Sequence, residues 1–557
     1  MARRLTVALL LSLACLAEAR AVEYHVCACD AGADADCVSG SDGAPGSAGA
    51  PWLSFDKART EFGSIAAGDA IRFCRGGAWN ITAGTRWVNG DCTAAQRCVV
   101  GDYTPPWASG NENRPILVRA DGGHGFALED GGDAEHEEGY LFENLDMRGQ
   151  VSGWGFFFYN DIDDVTLRNL SITGFGIGVH LAGSNACNGA DPECDGRNER
   201  IVLEDSYVAD SEAQGWLGAS SGSKILRNTF EANGTTAIFD HNIYVSGSGG
   251  GQTQGIEVVG NTLYQSALDG DGVCRAVSLV VHGEHDDLLI ADNVVHEDLG
   301  FAGPGCWGIA VDNGYSAPEG FTDVVIRGNA VLNVGNVGIG VGACVRCTIE
   351  NNLIVHQQDF GVTAIAAPDR APGAGDLEQE DITVRNNSIW IDTQGSATAI
   401  RVREFGDDHI VVSNAIHYTG TSNGFNCLDT DLPAADYTEI DHNLCWFPSA
   451  PGAEWADGFG NSPNALQAWR NATGFGDQSA MADPAFANPG AFDLSAASAS
   501  SAMVDAGHPT LSSPLSFGGP PRDLDPDIGA WEWGAGELIF TDGFESGDTS
   551  AWDLDIP

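Results

Sequence analysis

Histidine, tyrosine, aspartate and arginine side chains recur in short apolar segments in the middle of the chain. An imidazole titrates near neutral pH, so His282 or His241 could act as a general base, and Tyr244 could deliver or relay a proton. The planar guanidinium of Arg401 or Arg403 could hold a carboxylate through parallel N–H donors. The candidates for catalysis are His282, Tyr244, His241 and Asp312, and those for substrate binding are Arg401, Arg403 and His180.

These segments belong to a repeat that is easiest to see in DVVIRGNAV at 323–331. Apolar residues stand three positions before and two positions after a marked slot, and a second strand-like segment follows a glycine-marked turn. Apolar residues two apart, mostly β-branched, predict strands rather than helices. Three early copies have Leu145, Leu170 and Ser206 in the slot, and eight later copies have Asn228, Asn261, Asn293, Asn329, Asn352, Asn387, Asn414 and Asn443.

The copies follow one another at intervals of 22 to 36 residues. Constant strands with variable spacing are typical of a solenoid whose turns absorb insertions. Stacked coils would bring the asparagines into a ladder in which buried amides hydrogen-bond from coil to coil. The sequence therefore predicts an all-β fold, a right-handed parallel β-helix of about eleven or more coils. It also predicts an N-terminal helical cap and an irregular C-terminal segment.

Alternation within the second segment of each coil assigns its side chains to the two faces of the sheet. If Leu279 and Val281 point inward, His282 points outward, and the same reasoning turns Tyr244 outward. It places His180, Asp312 and Arg403 in the same outward column as His282, with Tyr244 beside it. A register error of one residue would turn all these side chains to the other face.

The two ends of the chain differ from the repeats. Two arginines, an apolar run and Ala-Arg-Ala at 19–21 predict a signal peptide, so we expect a secreted or cell-surface protein that leaves the cell by bacterial-type export. No other apolar run approaches the roughly 20 residues of a membrane helix. The expected divisions are a signal peptide at 1–21, a Cys-rich cap with the first coils at 22–135, repeats at 136–447, an irregular segment packing on the helix at 448–535 and a tail at 536–557.

Cysteine usage agrees with export. Of the 15 cysteines, one lies in the predicted signal peptide, and the even number that remains predicts disulfides in an oxidising compartment. A cluster before the repeats comprises Cys27, Cys29, Cys37, Cys74, Cys92 and Cys98. Two further pairs are expected to bridge, namely Cys274 with Cys306 and Cys344 with Cys347, and Cys187 and Cys194 bracket an inserted loop.

A formal charge of −52 restricts the partners of the chain. So acidic a protein repels nucleic acid and anionic membranes. The charge also argues against simple electrostatic capture of a polyanionic glycan, unless a metal cation bridges the two. Two acidic groups could hold Ca²⁺ through oxygen ligands, although neither has EF-hand spacing. These groups are Asp161, Asp163 and Asp164, and Asp429, Asp431 and Asp436.

Several stretches resemble secreted right-handed β-helix proteins of the pectate-lyase-like superfamily. They are G-S-D-x-x-x-G at 40–46, A-G-D-x-I-x-F-x-R-G-G-x-W at 67–79, R-P-I-x-V-R-A-D-G-G at 114–123, the stretch 482–507 and DPDIGAWEW at 525–533. The Asn-marked coils resemble the same group, so the resemblance covers most of the mature chain. It implies the fold and a polysaccharide or cell-surface glycan as partner. It leaves the activity open, since the superfamily contains lyases, hydrolases, epimerases and non-catalytic adhesins.

Among these activities, β-elimination on a uronate glycan suits the candidate residues. It requires a neutralised substrate carboxylate, a base for the adjacent ring proton and an acid for the leaving oxygen. Many β-helix lyases use a lysine base, whereas this chain has only Lys57, in the predicted cap, and Lys224, expected at the surface. The sequence therefore departs from a Lys-plus-Arg arrangement and favours a His/Tyr variant, that is, a polysaccharide lyase.

Two alternatives remain open. The first is a glycoside hydrolase or an epimerase; a hydrolase would use two carboxylates that flank the bond, with Asp240, Asp312 and Glu404 as candidates. A non-catalytic surface or carbohydrate-binding β-helix would show exposed aromatic rings for stacking and would not need His282 or Tyr244. We expect a monomer, and Ca²⁺ is the one cofactor considered.

Overall fold

Each coil of the chain runs through three strands in turn, and equivalent strands of successive coils pair in parallel to form three sheets. The computed structural model describes residues 21–82, 84–130, 137–183, 196–235, 238–247, 252–431 and 433–534. The chain is therefore a parallel β-helix, as its sequence pattern predicts. The expected signal peptide (apart from residue 21), the tail at 536–557 and the Cys187–Cys194 pair lie outside the described residues.

Sheets 1 and 2 contain the Asn-marked segments. Sheet 1 consists of Glu23–Val26, Ala70–Cys74, Cys98–Tyr103, Tyr140–Glu143, Thr166–Arg168, Val202–Glu204, Lys224–Leu226, Glu257–Val259, Leu289–Ala291, Val325–Arg327, Cys344–Glu350, Glu380–Arg385, His409–Val412 and Tyr437–Asp441. Sheet 2 consists of Ala78–Ile81, Ile116–Arg119, Asp146–Arg148, Ser171–Thr173, Tyr207–Ala209, Thr229–Asn233, Thr262–Ser266, Val294–His296, Ala330–Leu332, Leu353–His356, Ser388–Ile391, Ala415–Tyr418 and Leu444–Trp446.

Sheet 3 contains the second segments of the repeat. It consists of Phe126–Glu129, Trp154–Asn160, Ile177–Gly183, Trp216–Leu217, Ile243–Gly247, Leu279–Asp286, Ile309–Val311, Val337–Val341, Thr363–Ala367, Thr398–Val402, Asn426–Asp429 and Glu454–Ala456. The strand Leu279–Asp286 continues past the corner and pairs with the short strands Thr253–Gln254 and Gly320–Thr322, which joins sheet 3 to sheet 1.

The Asn-marked segment is two strands, not the single strand that its pattern suggests. The residue before each asparagine adopts a positive φ, between 52° and 70°, and turns the chain from sheet 1 into sheet 2. Asn329 illustrates the result: its amide donates to Asn352 at 3.0 Å and accepts from Asn293 at 2.9 Å. The predicted ladder is present and runs unbroken from Asn228 to Asn443.

Two helices and one hairpin complete the described structure. The helix Phe55–Phe62 begins after Ser54, whose hydroxyl accepts from the Lys57 amide, and packs Phe55 and Phe62 against core aromatics of the first coils. The other elements are the helix Pro463–Thr473, the 3₁₀ turns Ala434–Asp436 and Pro489–Ala491, and the antiparallel strands Phe486–Asn488 and Asp493–Ala496. Neither helix is long and apolar enough to cross a membrane within the described residues.

The C-terminal segment lies on the outer face of sheet 2. Leu494, Met503 and Phe517 form one apolar cluster with residues of that sheet such as Trp390. The buried guanidinium of Arg522 pairs with Glu532 at 2.9 Å and ties the segment together. These contacts hold the segment against the repeat.

The described disulfides include both bridges that sequence spacing predicts within the coils. They are Cys27–Cys74, Cys29–Cys37, Cys92–Cys98, Cys274–Cys306, Cys344–Cys347 and Cys427–Cys445. The first three join members of the N-terminal cysteine cluster, and the last was not predicted.

Candidate active site

The outer face of sheet 3 carries the sequence-predicted site residues. Val281 pairs with Val311 of the next coil, so His282 and Asp312, which follow them, lie side by side. Tyr244 lies on the preceding strand, and its ring centroid is 5.8 Å from that of His282. Alternation along the strands thus brings three of the four predicted catalytic residues together.

The outward side chains form two columns rather than one. Strand register places His180, Tyr244 and Arg401 in one column and His282, Asp312 and Arg403 in the other. His180 was expected beside His282 and instead aligns with Tyr244. The reason is the register between coils, which the sequence of a single strand does not encode.

Three acceptors hold one nitrogen of His282. Nδ1 lies 2.6 Å from the carbonyl oxygen of Asp312, 3.5 Å from its carboxylate and 3.4 Å from the carboxylate of Glu319. Because these partners only accept, Nδ1 carries a proton, and in the neutral tautomer the lone pair lies on Nε2. The side chain is 13 % exposed. The contacts therefore orient the His282 ring so that its neutral form would accept a proton at Nε2.

The loop between Ile309–Val311 and Gly320–Thr322 supplies Glu319. Its carboxylate accepts from the amides of Gly283 at 2.7 Å and Tyr315 at 2.6 Å, and also from Gly314. Burial raises the pKa of Glu319, but the hydrogen bonds from His282 and these amides outweigh burial and hold the pKa below its ordinary value. Glu319 is thus an ionised carboxylate beside Nδ1 of His282.

Asp312 lies between a carboxylic acid and a guanidinium. Burial raises the pKa of both carboxyls, that of Asp369 well above its ordinary value, and the Asp312 charge raises the pKa of Asp369 further, so Asp369 keeps a proton. Arg370 Nη2 lies 2.8 Å from Asp312 Oδ2, and the arginine side chain is 43 % exposed. Gly340 and Gly342 make room for this group, since a Cβ at either would contact Asp369.

Two tyrosine hydroxyls meet beside His282. Tyr244 Oη lies 2.5 Å from Tyr315 Oη, and the Tyr315 ring centroid is 4.9 Å from that of His282. Burial, followed by the contact with Tyr315, raises the pKa of Tyr244. Tyr244 is therefore protonated at neutral pH. In such a pair one O–H donates to the other oxygen, and the second proton is free for a ligand.

His241 packs against the ring of Tyr244. Its ring lies 5.1 Å from the Tyr244 ring at a near-perpendicular angle, and its Nδ1 lies 2.7 Å from the carbonyl oxygen of Val277. Burial lowers the pKa of His241 to about 4. The side chain is 5 % exposed, so it contacts the site through Tyr244 and is poorly placed to be the base.

The predicted substrate-binding residues lie apart from this cluster. His180 is two strand steps from Tyr244, among Trp154 and Phe157. Arg401 lies five strand steps from Tyr244, and its Nε is 3.2 Å from the buried carboxylate of Asp429. Arg403 shares that carboxylate at 3.3 Å and also binds Glu404. We expect their charges to be committed to these partners.

Several of the acidic residues that the sequence suggests as Ca²⁺ ligands or as hydrolase carboxylates form ion pairs with arginines. Asp163 and Asp164 bind Arg200 at 2.7 and 3.0 Å, and Asp429 binds the two arginines described above. Arginines thus occupy Asp163, Asp164 and Asp429, three of the six residues that the sequence suggests for Ca²⁺. The hydrolase candidates Asp240, Asp312 and Glu404 lie on different strands or loops, and Asp312 is buried behind Arg370.

One group with metal-ligand chemistry lies elsewhere. In the part of the chain that the structure describes, Cys274, Glu297 and Cys306 are the group whose ligand atoms lie within 4.8 Å of one another. A disulfide joins its two cysteines, so their sulfurs are already bonded to each other.

Sequence reasoning missed Tyr315, Glu319, Asp369 and Arg370. They lie on the loops 312–319 and 368–379, which interrupt two of the longest coils, those that run from Asn293 to Asn329 and from Asn352 to Asn387. The length of these coils was therefore the sequence signal that could have located the four residues. An insertion after a sheet 3 strand must project beside the outward side chains of that sheet.

The chain resembles several solved structures. It matches the A-module of a mannuronan C-5 epimerase from Azotobacter vinelandii (15 % identity, 65 % of this chain and 86 % of that chain, TM-score 0.39). It also matches an alginate lyase from a Paenibacillus species (12 % identity, 57 % of this chain and 97 % of that chain, TM-score 0.37). A third match is pectate lyase Pel9A (12 % identity, 92 % of this chain and 97 % of that chain, TM-score 0.33). No family model and no curated protein matches the chain. At these identities and TM-scores the likeness carries no activity and no residue roles over to this chain.

Proposed function

We propose that this protein is an exported polysaccharide lyase that cleaves a uronate-containing glycan by β-elimination. One observation carries the proposal: a histidine with Nδ1 anchored and Nε2 free stands beside a tyrosine pair and a partly exposed arginine. Reaction at a carbon next to a carboxylate needs these three functions together. The disulfides and the absence of a membrane-crossing helix among the described residues agree with an exported protein that acts on an extracellular glycan.

The base in this proposal is His282. Its Nε2 removes the ring proton next to the substrate carboxylate, and the imidazolium that forms is stabilised by the carboxylates of Asp312 and Glu319, 3.5 and 3.4 Å from Nδ1. Opposite charges at such distances favour the charged form of the ring. Glu319 and Asp312 are positioning residues, since they act through His282.

The acid is the pair of Tyr244 and Tyr315. As the ring carbon loses its proton, the electron pair forms a double bond and the glycosidic oxygen leaves. The hydroxyl that does not donate within the pair gives its proton to that oxygen. The raised pKa of Tyr244 keeps this proton in place until the leaving group needs it.

Arg370 binds the substrate carboxylate. One terminal nitrogen is bound to Asp312, and the other nitrogens remain for a ligand on the exposed side of the side chain. A guanidinium beside the carboxylate stabilises the negative charge that grows on it when the adjacent proton leaves. Arg370 thus takes the role that the sequence assigned to Arg401 or Arg403.

The test is to incubate the mature protein with alginate, pectate and unsulfated glycosaminoglycans and to follow the ultraviolet absorbance of the unsaturated product. We expect absorbance to rise with one class of glycan and to stay flat in a Tyr244→Phe, Tyr315→Phe double variant. Addition of Ca²⁺ or a chelator checks the metal expectation in the same assay. New reducing ends without absorbance would support a hydrolase, and binding without any product would support the non-catalytic alternative.

A further inference from the structure

An uncharged strip of side chains leads away from the candidate site along the outer face of sheet 3. Register aligns Ala127, Phe157, His180, Leu217 and Tyr244 on successive coils. Burial, helped by the nearby His124, lowers the pKa of His180 to about 4, so that ring is neutral at neutral pH. A strip without charge is unexpected in a chain of formal charge −52.

Aromatic rings cluster at the far end of the strip. Trp154 stacks on His124 at a centroid distance of 4.3 Å and contacts Phe157 at 4.2 Å. Phe157 also contacts Tyr159 at 5.5 Å, and all four rings are partly exposed. We call Trp154, Phe157, Tyr159 and His180 the aromatic platform. It lies about three strand steps, roughly 14 Å, from Tyr244.

The cations near the platform are already paired. Arg119, which lies close to His124, binds Asp121 at 2.6 Å, and Arg86 binds Glu129 at 3.1 Å. Among the described residues the platform therefore offers ring faces and edges, whereas the candidate site offers the partly exposed guanidinium of Arg370. A uronate carboxylate can be bound at Arg370 but would lose its hydration at the platform without an opposite charge to replace it.

We infer that the substrate is a heteropolysaccharide, in which a uronate at Arg370 is linked to neutral sugars that stack on the aromatic platform. The inference rests on the proposed function, because it names the substrate class of that site. The C–H face of a neutral sugar suits aromatic rings, which bury apolar area at little entropic cost. The acidic surface favours the same substrate, since a chain with a carboxylate on every sugar would be repelled along its whole length.

The test compares two glycan classes with the whole mature protein. The homopolymers are alginate and polygalacturonate, and the alternating polymers are hyaluronan, heparosan and unsulfated chondroitin, in which a neutral N-acetylhexosamine separates the uronates. Binding is measured by calorimetry with the His282→Ala variant, so that it does not depend on turnover. We expect binding to at least one alternating polymer to be at least about tenfold tighter than to either homopolymer.

Two variants test the platform itself. Trp154→Ala should weaken binding of the alternating polymer about tenfold, and Phe157→Leu, which keeps the apolar volume but removes the ring, should weaken it severalfold. The matched control is Trp533→Ala, an exposed tryptophan of the C-terminal segment, which should leave affinity unchanged. Thermal melting checks that each variant is folded.

The outcomes separate this inference from the proposed function. Tighter binding of homopolymers, no binding of any alternating polymer, or unchanged affinity in Phe157→Leu would overturn the inference, even if the lyase assay succeeds. If both platform variants bind the alternating polymer more weakly but the lyase assay gives no unsaturated product, the platform is supported as a site for neutral sugars. The same result would reject the proposed lyase activity.

Discussion

The asparagine ladder and the candidate site both bury polar side chains on the same β-helix, but they satisfy them in different ways. In the ladder, each amide finds an identical amide one coil above and below, for example Asn329 between Asn293 and Asn352. At the site, the polar groups are joined by contacts that each occur once, such as His282 with Glu319 and Asp312 with Arg370. The ladder repeats, and the site occurs once.

In this solenoid, the residues that provide stability therefore differ from those that provide the candidate chemistry. A repeated neutral amide satisfies its neighbours without any insertion, so it can extend over many coils. Charged groups of one kind cannot be stacked in that way, because like charges repel. The site therefore depends on two inserted loops that bring Glu319 and Arg370 against the sheet, and we expect substitutions there to change activity more strongly than stability.

The largest expected effect is on turnover. His282→Ala removes the base while leaving the core intact, and we expect the rate of product formation to fall about a hundred- to ten-thousandfold. The melting temperature should fall as well, because the buried carboxylate of Glu319 loses the Nδ1–H donor, so rates are compared per folded molecule. Initial rates and thermal melting measure the two effects. A variant that keeps its activity would contradict the assignment of the base.

The ladder should show the opposite behaviour. Asn329→Ala leaves the amide groups of Asn293 without their acceptor, and we expect the free energy of unfolding to fall by about 2–4 kcal/mol. Chemical denaturation measures the loss, and activity per folded molecule should be unchanged. The control, Asn471→Ala on the exposed face of the helix Pro463–Thr473, should shift stability by no more than about 0.5 kcal/mol.

A third comparison concerns the two sets of arginines. Arg370→Ala should lower kcat/KM about ten- to a hundredfold, because it removes the cation that faces the substrate carboxylate. Arg401→Ala, whose guanidinium is bound to Asp429, should lower it by less than about threefold. Steady-state kinetics decide between them. A larger effect of Arg401→Ala would favour the sequence-based assignment.

The loop that carries Glu319 should respond to acid, whereas the ladder should not. The folded-state pKa of Glu319 is below its ordinary value of 4.5, so its contribution to stability is present above pH 4.5 and is lost as the pH falls through the folded value. At neutral pH, Glu319→Gln should cost about 1–3 kcal/mol of unfolding free energy. This cost should shrink in acid, while the cost of Asn329→Ala stays constant. Denaturant titrations across pH measure both.

The smallest expected effect is that of a surface lysine. Lys224 pairs with Glu257 at 2.7 Å and is 41 % exposed, and such pairs contribute about 0–1 kcal/mol. Lys224→Ala should leave turnover unchanged and shift the melting temperature only slightly. If turnover instead collapsed, the base would be Lys224, and the His/Tyr arrangement would be wrong.

The sequence by itself determined the coil. Asn329, the apolar residues around it and their recurrence identify the strands and the ladder, because strand alternation and stacking are properties of each short segment. The same alternation turned Tyr244, His282 and Asp312 outward. The bend before each asparagine was missed, since its positive φ occurs at Arg227, Asp292 and Ser413 as well as at glycine.

Only the tertiary structure decided which outward side chains meet. Coils of 22 to 36 residues set their own register, and that register aligned His180 with Tyr244 and left Arg401 several coils from His282. It also brought Tyr315 and Arg370, which are 55 positions apart, to the same cluster. Contacts between distant loops depend on how far each coil rises and turns, and no local pattern of residues encodes that distance.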